Sequence, residues 1–566
     1  MKSFGEFLME LLHLYGVEYV FGIPGVHTAE LYRGLESSPI THVTPRHEQG
    51  AGFAADGYAR VSGKPGVCLV VTGPGLCNTI TAMGQAYADS VPMLVISGVN
   101  NPHENRSGNG YLHELPNQSA LAEQVAAFSH TITSPAEILP VMARAFAVFE
   151  GGRPRPVHIE IPLQIMNMDV TGLALPSYRP RFSLPQASER DIAEMVALCE
   201  ASERPIILAG GGARGAAQDI RMLAEKLDAP VVMTISGRGI LASDHSLAVN
   251  ATASHRPVRE LIAQADLVLA VGTELGQTDY DIYKDGGTVI SGRLIRIDLC
   301  QQQLNRNFAC DLGILSDAAS AIAPLVAALP SRQRKGALGD QVGATVDAMF
   351  AMQSEDYRNA NAMIAAVFET LPDAVVVGDS AQPIYAGNDA ITISDEGRWF
   401  NSATGFGTLG YGLPAAIGAK RAVPHRPVLA IAGDGGVQFS ISELATAKEA
   451  GLPLTLLLWD NSCYGEIRNY MVDAGIPPEG VDLVSPDFAL IAKAYGWEVA
   501  QPTSLAEFRE VIAEAHRARR YLMVLGIEDL KGDHPATQLG PGRDRGWGHP
   551  FAPLSGWPCV GEPAVP

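Results

Sequence analysis

Residues 427–461 read PVLAIAGDGGVQFSISELATAKEAGLPLTLLLWDN, and this stretch indicates the fold. Two apolar runs of strand length, 427–432 and 452–459, flank a turn and a helical pattern, which predicts two parallel strands. The first run is followed by Gly-Asp-Gly-Gly and the second by Asp-Asn. Ligands of open parallel sheets bind at the carboxyl ends of the strands, so these residues are candidates for a binding site.

The same succession of strand, turn and helix recurs along the chain and predicts an α/β fold. A length of 566 residues is too great for one hydrophobic core and favours three domains. A proline-rich connector at 175–186 and a polar stretch at 331–341 separate the blocks. The predicted domains, each a mostly parallel sheet flanked by helices, are 1–174, 187–330 and 350–530, with an irregular tail at 531–566.

Composition narrows the function classes. The formal net charge of −20 disfavours binding to nucleic acid or to anionic membranes. The seven cysteines are scattered without a CxxC pair, so neither a zinc site nor a disulfide framework is indicated. The start of the chain has the pattern of an amphipathic helix rather than a signal peptide, and no apolar run reaches bilayer length. We therefore expect a cytoplasmic protein that binds neither nucleic acid nor membrane.

The Gly-Asp-Gly-Gly motif has the chemistry of a diphosphate and metal site. Asp434 and, 27 positions later, Asn461 offer the hard oxygen ligands that Mg²⁺ prefers. A helix expected to start near Ser440 would direct its amino end towards the anion. The alternative is that both segments are only turns after strands. Three glycines allow the backbone to approach a diphosphate without Cβ clashes: Gly433, Gly435 and Gly436.

This motif and its downstream Asp-Asn resemble those of thiamine-diphosphate enzymes. The resemblance covers nearly the whole chain and is to the acetolactate synthase, pyruvate oxidase and benzoylformate decarboxylase superfamily. It implies thiamine diphosphate and Mg²⁺ as cofactors, and three domains in the order pyrimidine-binding, central Rossmann-like and diphosphate-binding. It also implies that Asp434, Asn461 and the main-chain carbonyl of Cys463 carry the metal.

Residues 45–75, PRHEQGAGFAADGYARVSGKPGVCLVVTGPG, resemble the signature of the family's pyrimidine domain. The resemblance places the catalytic carboxylate at Glu48. A carboxyl group beside the aminopyrimidine ring favours its imino tautomer, which promotes loss of the thiazolium proton. In the family this glutamate and the diphosphate motif come from neighbouring subunits, so a homo-oligomer with active sites at the subunit interface is implied.

Further cofactor contacts are implied by SATGFGTLGYGLPAAIGAK at 402–420. Leu409 matches the residue that props the cofactor in its bent conformation, although by itself it would be an ordinary core leucine. Gly407 matches the residue whose carbonyl accepts a hydrogen bond from the amino group. Ser380 and Gln382 either touch the diphosphate or belong to a simple turn.

Candidate substrate contacts are less specific. Gln118 aligns with an active-site glutamine of acetolactate synthases, but Asn117 precedes it where those enzymes have phenylalanine. His27 either holds a carboxylate or relays a proton, or is a turn residue. Glu466 is expected on the substrate side of the cofactor, where a carboxylate suits a substrate with a distal cation. The alternative is that Glu466 pairs internally with Arg468 or another basic residue.

Three segments, FGIPGVHTAELYRGL (21–35), GTELGQTDYDIY (272–283) and YGEIRNY (464–470), are most similar to 5-guanidino-2-oxopentanoate (2-ketoarginine) decarboxylases. The leading hypothesis is decarboxylation of that 2-oxo acid to 4-guanidinobutanal and CO₂. One alternative is an acetolactate synthase, which condenses two 2-oxo acids. Another is a non-catalytic regulatory or binding subunit, which predicts loss of Glu48 or the metal ligands, and all of these are present.

The central block contains a GxGxxG pattern at 210–215, with Asp228 after it. Alone this is a weak dinucleotide signal. Acetolactate synthases hold FAD in the corresponding domain, so FAD is possible, but we favour a vestigial site.

Overall fold

A computed structural model describes residues 1–280, 287–330 and 338–531. It contains three six-stranded sheets in which every strand pairing is parallel. Each sheet has one buried apolar cluster on either face, as expected for helices packed on both sides. The predicted three-domain α/β fold is therefore confirmed. The exact domain boundaries stay a prediction, and positions 532–566 of the expected tail lie outside the described residues.

The first sheet has the strand order β2-β1-β3-β4-β6-β5. Its strands are β1 (Tyr19–Gly22), β2 (Thr41–Val43), β3 (Gly66–Val70), β4 (Met93–Val99), β5 (Phe128–Thr131) and β6 (Val157–Pro162). Its helices are α1 (Phe4–Leu14), α2 (Ala29–Tyr32), α3 (Glu48–Ser62), α4 (Pro74–Asp89), α5 (Gln118–Glu123), α6 (Ile138–Glu150) and α7 (Leu163–Met166).

The central sheet has the order β12-β11-β10-β7-β8-β9, which is the doubly wound order of dinucleotide-binding folds. Its strands are β7 (Pro205–Ala209), β8 (Val231–Met233), β9 (Ala248–Val249), β10 (Leu267–Val271), β11 (Arg293–Asp298) and β12 (Leu312–Leu315). Its helices are α8 (Glu189–Ala201), α9 (Ala217–Leu227), α10 (Arg256–Ala263), α11 (Gln277–Tyr280) and α12 (Ala318–Ala328).

The third sheet, β14-β13-β15-β16-β18-β17, repeats the strand order of the first. Its strands are β13 (Val375–Gly378), β14 (Trp399–Asn401), β15 (Val428–Gly433), β16 (Thr455–Trp459), β17 (Glu498–Ala500) and β18 (Leu522–Val524). The helices of this part are α13 (Val342–Met352), α14 (Glu355–Thr370), α15 (Gln382–Ala390), α16 (Gly412–Ala422), α17 (Asp434–Val437), α18 (Glu443–Glu449), α19 (Gly465–Asp473), α20 (Phe488–Ala494) and α21 (Leu505–Arg517).

The first and third domains meet where α3 crosses α16. A Cβ on Gly418 would lie 1.8 Å from the carbonyl oxygen of Ala54, and one on Gly57 would lie 2.0 Å from that of Ala415. Only glycine allows this backbone contact.

Across the described ranges, no helix is both long and apolar enough to cross a lipid bilayer.

The central glycines have a packing explanation within the chain. A Cβ on Gly210 would lie 2.2 Å from the carbonyl oxygen of Gly272, and one on Gly212 would lie 3.0 Å from its Cα. Asp228 is the left-handed C-cap of α9, with φ of 52°, before β8 begins. It therefore lies at the amino edge of the sheet, whereas a ribose-binding acid belongs at the carboxyl edge. The weak dinucleotide signal gains no support from this placement.

Candidate active site

Glu48 is the first residue of α3, at the carboxyl edge of the first sheet. Its side chain is half-buried, and Oε2 accepts a hydrogen bond from Asn78 Nδ2 at 2.9 Å. A carboxylate in the first turn of a helix is stabilised by the helix dipole. The amide of Asn78, which follows β3 on α4, orients this carboxylate, and sequence reasoning did not single it out.

A second carboxylate, Glu443 on α18, fixes the backbone just before Glu48. Oε1 of Glu443 accepts hydrogen bonds from the backbone N–H groups of Arg46 at 3.0 Å and His47 at 3.1 Å. A Cβ at residue 50 would lie 2.3 Å from the same oxygen, which explains the glycine there. Burial raises the pKa of Glu443 to about 7. A residue of the third domain thus positions the helix that begins with Glu48.

Four polar side chains at this edge of the first sheet have a buried nitrogen or oxygen atom that forms no hydrogen bond with the described residues. They follow β1, β3 and β4 and are His27, Thr72, Asn100 and His113. Within residues 1–280, 287–330 and 338–531, His27 Nδ1, Thr72 Oγ1, Asn100 Oδ1 and His113 Nδ1 have no hydrogen-bond partner. Such atoms cost free energy unless a ligand or water satisfies them. This edge is therefore built to receive a polar ligand.

The two imidazoles of this group pack edge to face, with ring centroids 5.0 Å apart. Burial, together with the neighbouring His113, lowers the pKa of His27 below its ordinary value of 6.5, so its ring is neutral at pH 7. The sequence singled out His27 but missed His113, Thr72 and Asn100. A polar residue directly after a buried strand was the available signal for Thr72 and Asn100.

Gln118 is buried, and its amide is engaged inside the first domain. Its Oε1 accepts from Gly73 N at 2.8 Å, while Nε2 donates to Gly98 O at 2.8 Å and to Glu160 Oε2 at 3.1 Å. These bonds fix the turn between β3 and α4 and the end of β4. A contact between Gln118 and substrate stays a prediction.

The Gly-Asp-Gly-Gly motif lies at the carboxyl end of β15. Gly433 ends the strand in an extended conformation and is the N-cap of α17, which begins at Asp434. The helix expected near Ser440 starts at Glu443, and a short helix that was not expected, α17, precedes it directly after the strand. A Cβ at Gly435 would lie 2.5 Å from the Tyr464 ring, so this glycine is required.

Two carboxylates meet beside the motif. The buried Asp434 and its neighbour Asp460 both contact the Ser485 hydroxyl, at 3.1 Å and 2.7 Å. Burial, followed by the charge of Asp460, raises the pKa of Asp434. One hydroxyl proton cannot satisfy two carboxylates, so the pair fits a cation.

The neighbouring Asn461 Nδ2 donates to Gln382 Oε1 at 2.8 Å, and Ser462, with φ of +53°, turns the chain at Cys463. In the part of the chain that the structure describes, no cluster of three His, Cys, Asp or Glu side chains could hold a metal. A ligand set of one carboxylate, one amide and a main-chain carbonyl nevertheless fits Mg²⁺, which completes its shell with phosphate and water.

The other predicted cofactor contacts surround the same edge. Ser380 follows β13, and its hydroxyl lies 3.2 Å from the carbonyl oxygen of Thr408, which joins it to the 402–410 loop. In that loop Gly407 is exposed with φ of +73°, and Leu409 is half-buried.

Glu466 lies in the first turn of α19, next to the predicted metal ligand Asn461. A Cβ on the preceding Gly465 would lie 2.9 Å from Asn461 Nδ2 and 3.1 Å from Gln382 Nε2. Oε1 of Glu466 accepts a hydrogen bond from the Tyr357 hydroxyl at 3.2 Å. Arg468, the alternative partner, instead donates to Asp482 Oδ1 at 2.9 Å. Glu466 therefore directly follows the residue that lies against Asn461, and Arg468 pairs with Asp482.

Comparison with known proteins agrees with this geometry. Three thiamine pyrophosphate enzyme family models match the chain: the N-terminal TPP binding domain over 2–121, the central domain over 192–325 and the C-terminal TPP binding domain over 382–525. The chain belongs to the thiamine pyrophosphate enzymes. The predicted family, fold and thiamine diphosphate cofactor are thereby confirmed.

Relatives within this thiamine pyrophosphate enzyme family carry two kinds of name. The chain is 45% identical over 516 residues to a probable 2-ketoarginine decarboxylase of Pseudomonas aeruginosa, covering 89% of this chain and 90% of the relative. It is 30% identical over 537 residues to a probable acetolactate synthase large subunit of Methanocaldococcus jannaschii, covering 90% and 89%. It is 31% identical over 470 residues to acetolactate synthase isozyme 1 large subunit of Escherichia coli, covering 82% of each chain.

Proposed function

We propose that the protein catalyses the non-oxidative decarboxylation of 5-guanidino-2-oxopentanoate to 4-guanidinobutanal and CO₂. The observation that carries the proposal is Glu466, an acidic residue in the first turn of α19 that directly follows Gly465, whose backbone lies against Asn461. A guanidinium satisfies a carboxylate through two parallel hydrogen bonds, which an uncharged substrate tail cannot provide. The 45% identity to a relative named as a 2-ketoarginine decarboxylase supports the same substrate.

Asp434, Asn461 and the Cys463 carbonyl would hold Mg²⁺, and Gly433, Gly435 and Gly436 would pass close to the diphosphate. Bound thiamine diphosphate supplies a nucleophilic carbon and an electron sink for the departing carboxylate.

Proton handling is assigned to the first domain. Glu48, oriented by Asn78, would hold a proton against the pyrimidine ring of the cofactor. His27 is neutral at pH 7 and has a buried Nδ1 that needs a partner, so it would hold the substrate or pass a proton. The buried Gln118 would keep the turn between β3 and α4 in place.

The active site is assigned to two copies of the chain, with Glu48 from one and the diphosphate motif from the other. Large apolar side chains are exposed near both edges, which is typical of an interaction surface. Near the first edge these are Val26, Tyr111 and Leu112, and near the third they are Phe406, Phe439 and Val484. A cytoplasmic location is part of the same proposal.

Acetolactate synthesis is the second candidate, because relatives at 30% and 31% identity carry that name. The two functions differ in what happens after CO₂ leaves: the decarboxylase releases an aldehyde, whereas the synthase adds a second 2-oxo acid. A non-catalytic subunit is disfavoured, because Glu48, Asp434 and Asn461 are all present.

The test is CO₂ release by the purified protein with thiamine diphosphate and Mg²⁺. Parallel reactions contain 5-guanidino-2-oxopentanoate, pyruvate, 2-oxobutanoate and benzoylformate, and the organic products are identified. We expect the highest kcat/KM for the guanidino acid, with 4-guanidinobutanal as product. Acetolactate from pyruvate at a higher kcat/KM would replace this proposal with the synthase.

A further inference from the structure

A small cavity lies at the amino edge of the third sheet. It is lined by Val428 and Thr455, the residues at which β15 and β16 begin, whereas the Gly-Asp-Gly-Gly motif follows the other end of β15. The volume of the cavity is about 30 Å³. This is enough for about two water molecules, so an enclosed ligand has only a few heavy atoms. The cavity is therefore separate from the candidate active site.

The charged side chains that line this cavity are all basic. Lys420 lies in the last turn of α16 and His516 in the last turn of α21. Arg519 and Arg520 follow α21, and His425 lies in the turn before β15. Among the described residues, no aspartate or glutamate lines the cavity. In a chain with a formal net charge of −20, such a local excess of cations indicates a site for an anion.

Lys420 is the most enclosed of these cations, with only 4% of its surface exposed. Its ammonium donates a hydrogen bond to the carbonyl oxygen of Arg426 at 2.5 Å, and it forms no ion pair within residues 1–280, 287–330 and 338–531. An ammonium has three donors, so two remain for water or a ligand. A buried cation without a partner of opposite charge costs free energy, which a bound anion would recover.

The cations around the cavity are close enough to repel one another. Burial and the charge of Arg519 lower the pKa of Lys420 to about 8, so this ammonium is still mostly protonated at pH 7. Burial, Lys420 and Arg519 also lower the pKa of His516. Arg520 differs, because it pairs with Glu498 at 2.9 Å. The negative ends of α16 and α21 offset only part of the remaining charge, since each is equivalent to roughly half an elementary charge.

We propose that this cavity binds a small tetrahedral oxyanion, inorganic phosphate or sulfate. The enclosed Lys420 ammonium supplies a compact point charge. The exposed Arg519 guanidinium has no hydrogen-bond or ion-pair partner among the described residues, and its fork can bind two oxygens of the anion in parallel. The volume of the cavity is too small to enclose a nucleotide. The bound anion links the end of α16 to the end of α21 and stabilises the third domain.

The test is calorimetric titration of the holoenzyme with inorganic phosphate and, separately, with sulfate at fixed ionic strength. Saturation with thiamine diphosphate and Mg²⁺ keeps both probes out of the diphosphate site. The wild type should bind one ion per chain, and the ion with the lower Kd is the occupant. Lys420→Met and Arg519→Gln should each raise that Kd about tenfold, the size of one lost hydrogen bond between charged groups.

The matched control is Arg517→Gln, at the end of the same helix. Arg517 is exposed, pairs with Glu514 and does not line the cavity, so its substitution should leave the Kd unchanged. Absence of binding to the wild type, or equal Kd values for Arg519→Gln and Arg517→Gln, overturns the proposal.

Thermal unfolding gives a second measurement that does not depend on the buried lysine. A ligand that binds only the folded state raises the Tm, so phosphate or sulfate well above its Kd should raise the Tm of the wild type and of Arg517→Gln. The rise should be much smaller in Arg519→Gln, whose exposed position makes a folding defect unexpected. The same rise in all three proteins would place the anion elsewhere and overturn the proposal.

Discussion

The first and third domains have the same strand order but different chemistry at equivalent strand ends. Thr72 follows the third strand of the first sheet, where Asp434 follows the third strand of the other. Asn100 follows the fourth strand, where Asn461 follows the corresponding strand two residues after its end. One edge thus carries neutral buried atoms that have no hydrogen-bond partner among the described residues, and the other carries a carboxylate pair.

This difference shows that topology sets where a site lies and that a few side chains set which part of the chemistry it performs. The neutral edge suits proton handling and an organic ligand, whereas the acidic edge suits a metal ion. In the proposed function, Glu48 is the residue that would give the edge of the first sheet its catalytic role. Each of the following variants changes a residue at one of the two edges and leaves the other edge intact.

The largest effect is expected at Glu48. Glu48→Gln removes the ionisable group and keeps its size, so turnover should fall by about 10²–10⁴-fold, the usual range for a lost acid–base group. Cofactor affinity, measured by calorimetry, should change little because the diphosphate is held at the other edge. The control is the double variant Glu48→Gln/Gln49→Glu, which places a carboxylate one position away. Its turnover should stay as low as that of Glu48→Gln. Undiminished CO₂ release by Glu48→Gln would contradict the proposed role of Glu48 as the proton partner of the cofactor.

The next effect is expected at Asp434. Asp434→Asn removes the charge from the proposed metal ligand, so the Mg²⁺ concentration for half-maximal activity should rise at least tenfold. The equivalent change at the neutral edge, Thr72→Val, should leave the Mg²⁺ requirement unchanged. Asp482→Asn removes an exposed carboxylate near the site and serves as the charge control. Equal Mg²⁺ dependence in Asp434→Asn and wild type would contradict the assignment of the acidic edge.

A smaller effect is expected at His27. His27→Asn should lower kcat about tenfold without changing the Mg²⁺ requirement. Burial lowers the pKa of His27, so the neutral ring is present at pH 7, and its contribution is lost only as the pH falls below 6.5. The ratio of the kcat of His27→Asn to the kcat of the wild type should therefore be constant between pH 7 and pH 8. His103→Asn, at an exposed histidine, is the control, and an equal loss there would argue against a role for the neutral edge.

The smallest effect on activity is expected at Glu443. A change there should instead alter how the stability of the folded protein depends on pH. Its folded-state pKa of about 7 lies above the ordinary value of 4.5, so the folded state binds the extra proton between these values. The stabilisation from this group is complete below pH 4.5 and is lost as the pH rises through 7, by up to about 3 kcal/mol. Thermal unfolding should show a steeper loss from pH 5 to pH 8 in wild type than in Glu443→Gln. Parallel pH profiles would show that Glu443 does not titrate there.

Part of this site was predictable from local sequence. Residues 433–436 and Asn461 were proposed as site residues because short spacing after two apolar runs predicts that they lie on one sheet edge. Glu443 and Tyr357 were not, because they meet Arg46 and Glu466 only through tertiary contacts across 397 and 109 positions. His113 was missed for the same reason, since its loop returns to the His27 ring only in the folded domain.

The helix expected near Ser440 begins at Glu443. The short helix α17, which begins at Asp434 directly after Gly433, was not expected. The dinucleotide pattern at 210–215 also reads differently in three dimensions, because its glycines accommodate Gly272 of the same domain.

The most direct test of the account is subunit complementation between the two edges. Glu48→Gln is expected to be nearly inactive, and Asp434→Asn nearly inactive at an Mg²⁺ concentration well below its raised half-maximal value. The two proteins are unfolded together, refolded as a mixture and assayed at that Mg²⁺ concentration. If one copy supplies Glu48 and another supplies Asp434, mixed dimers contain one intact site, and CO₂ release should return to about a quarter of the wild-type rate. If both residues of a site came from the same copy, the mixture would stay as inactive as its components, and the shared-site account would be wrong.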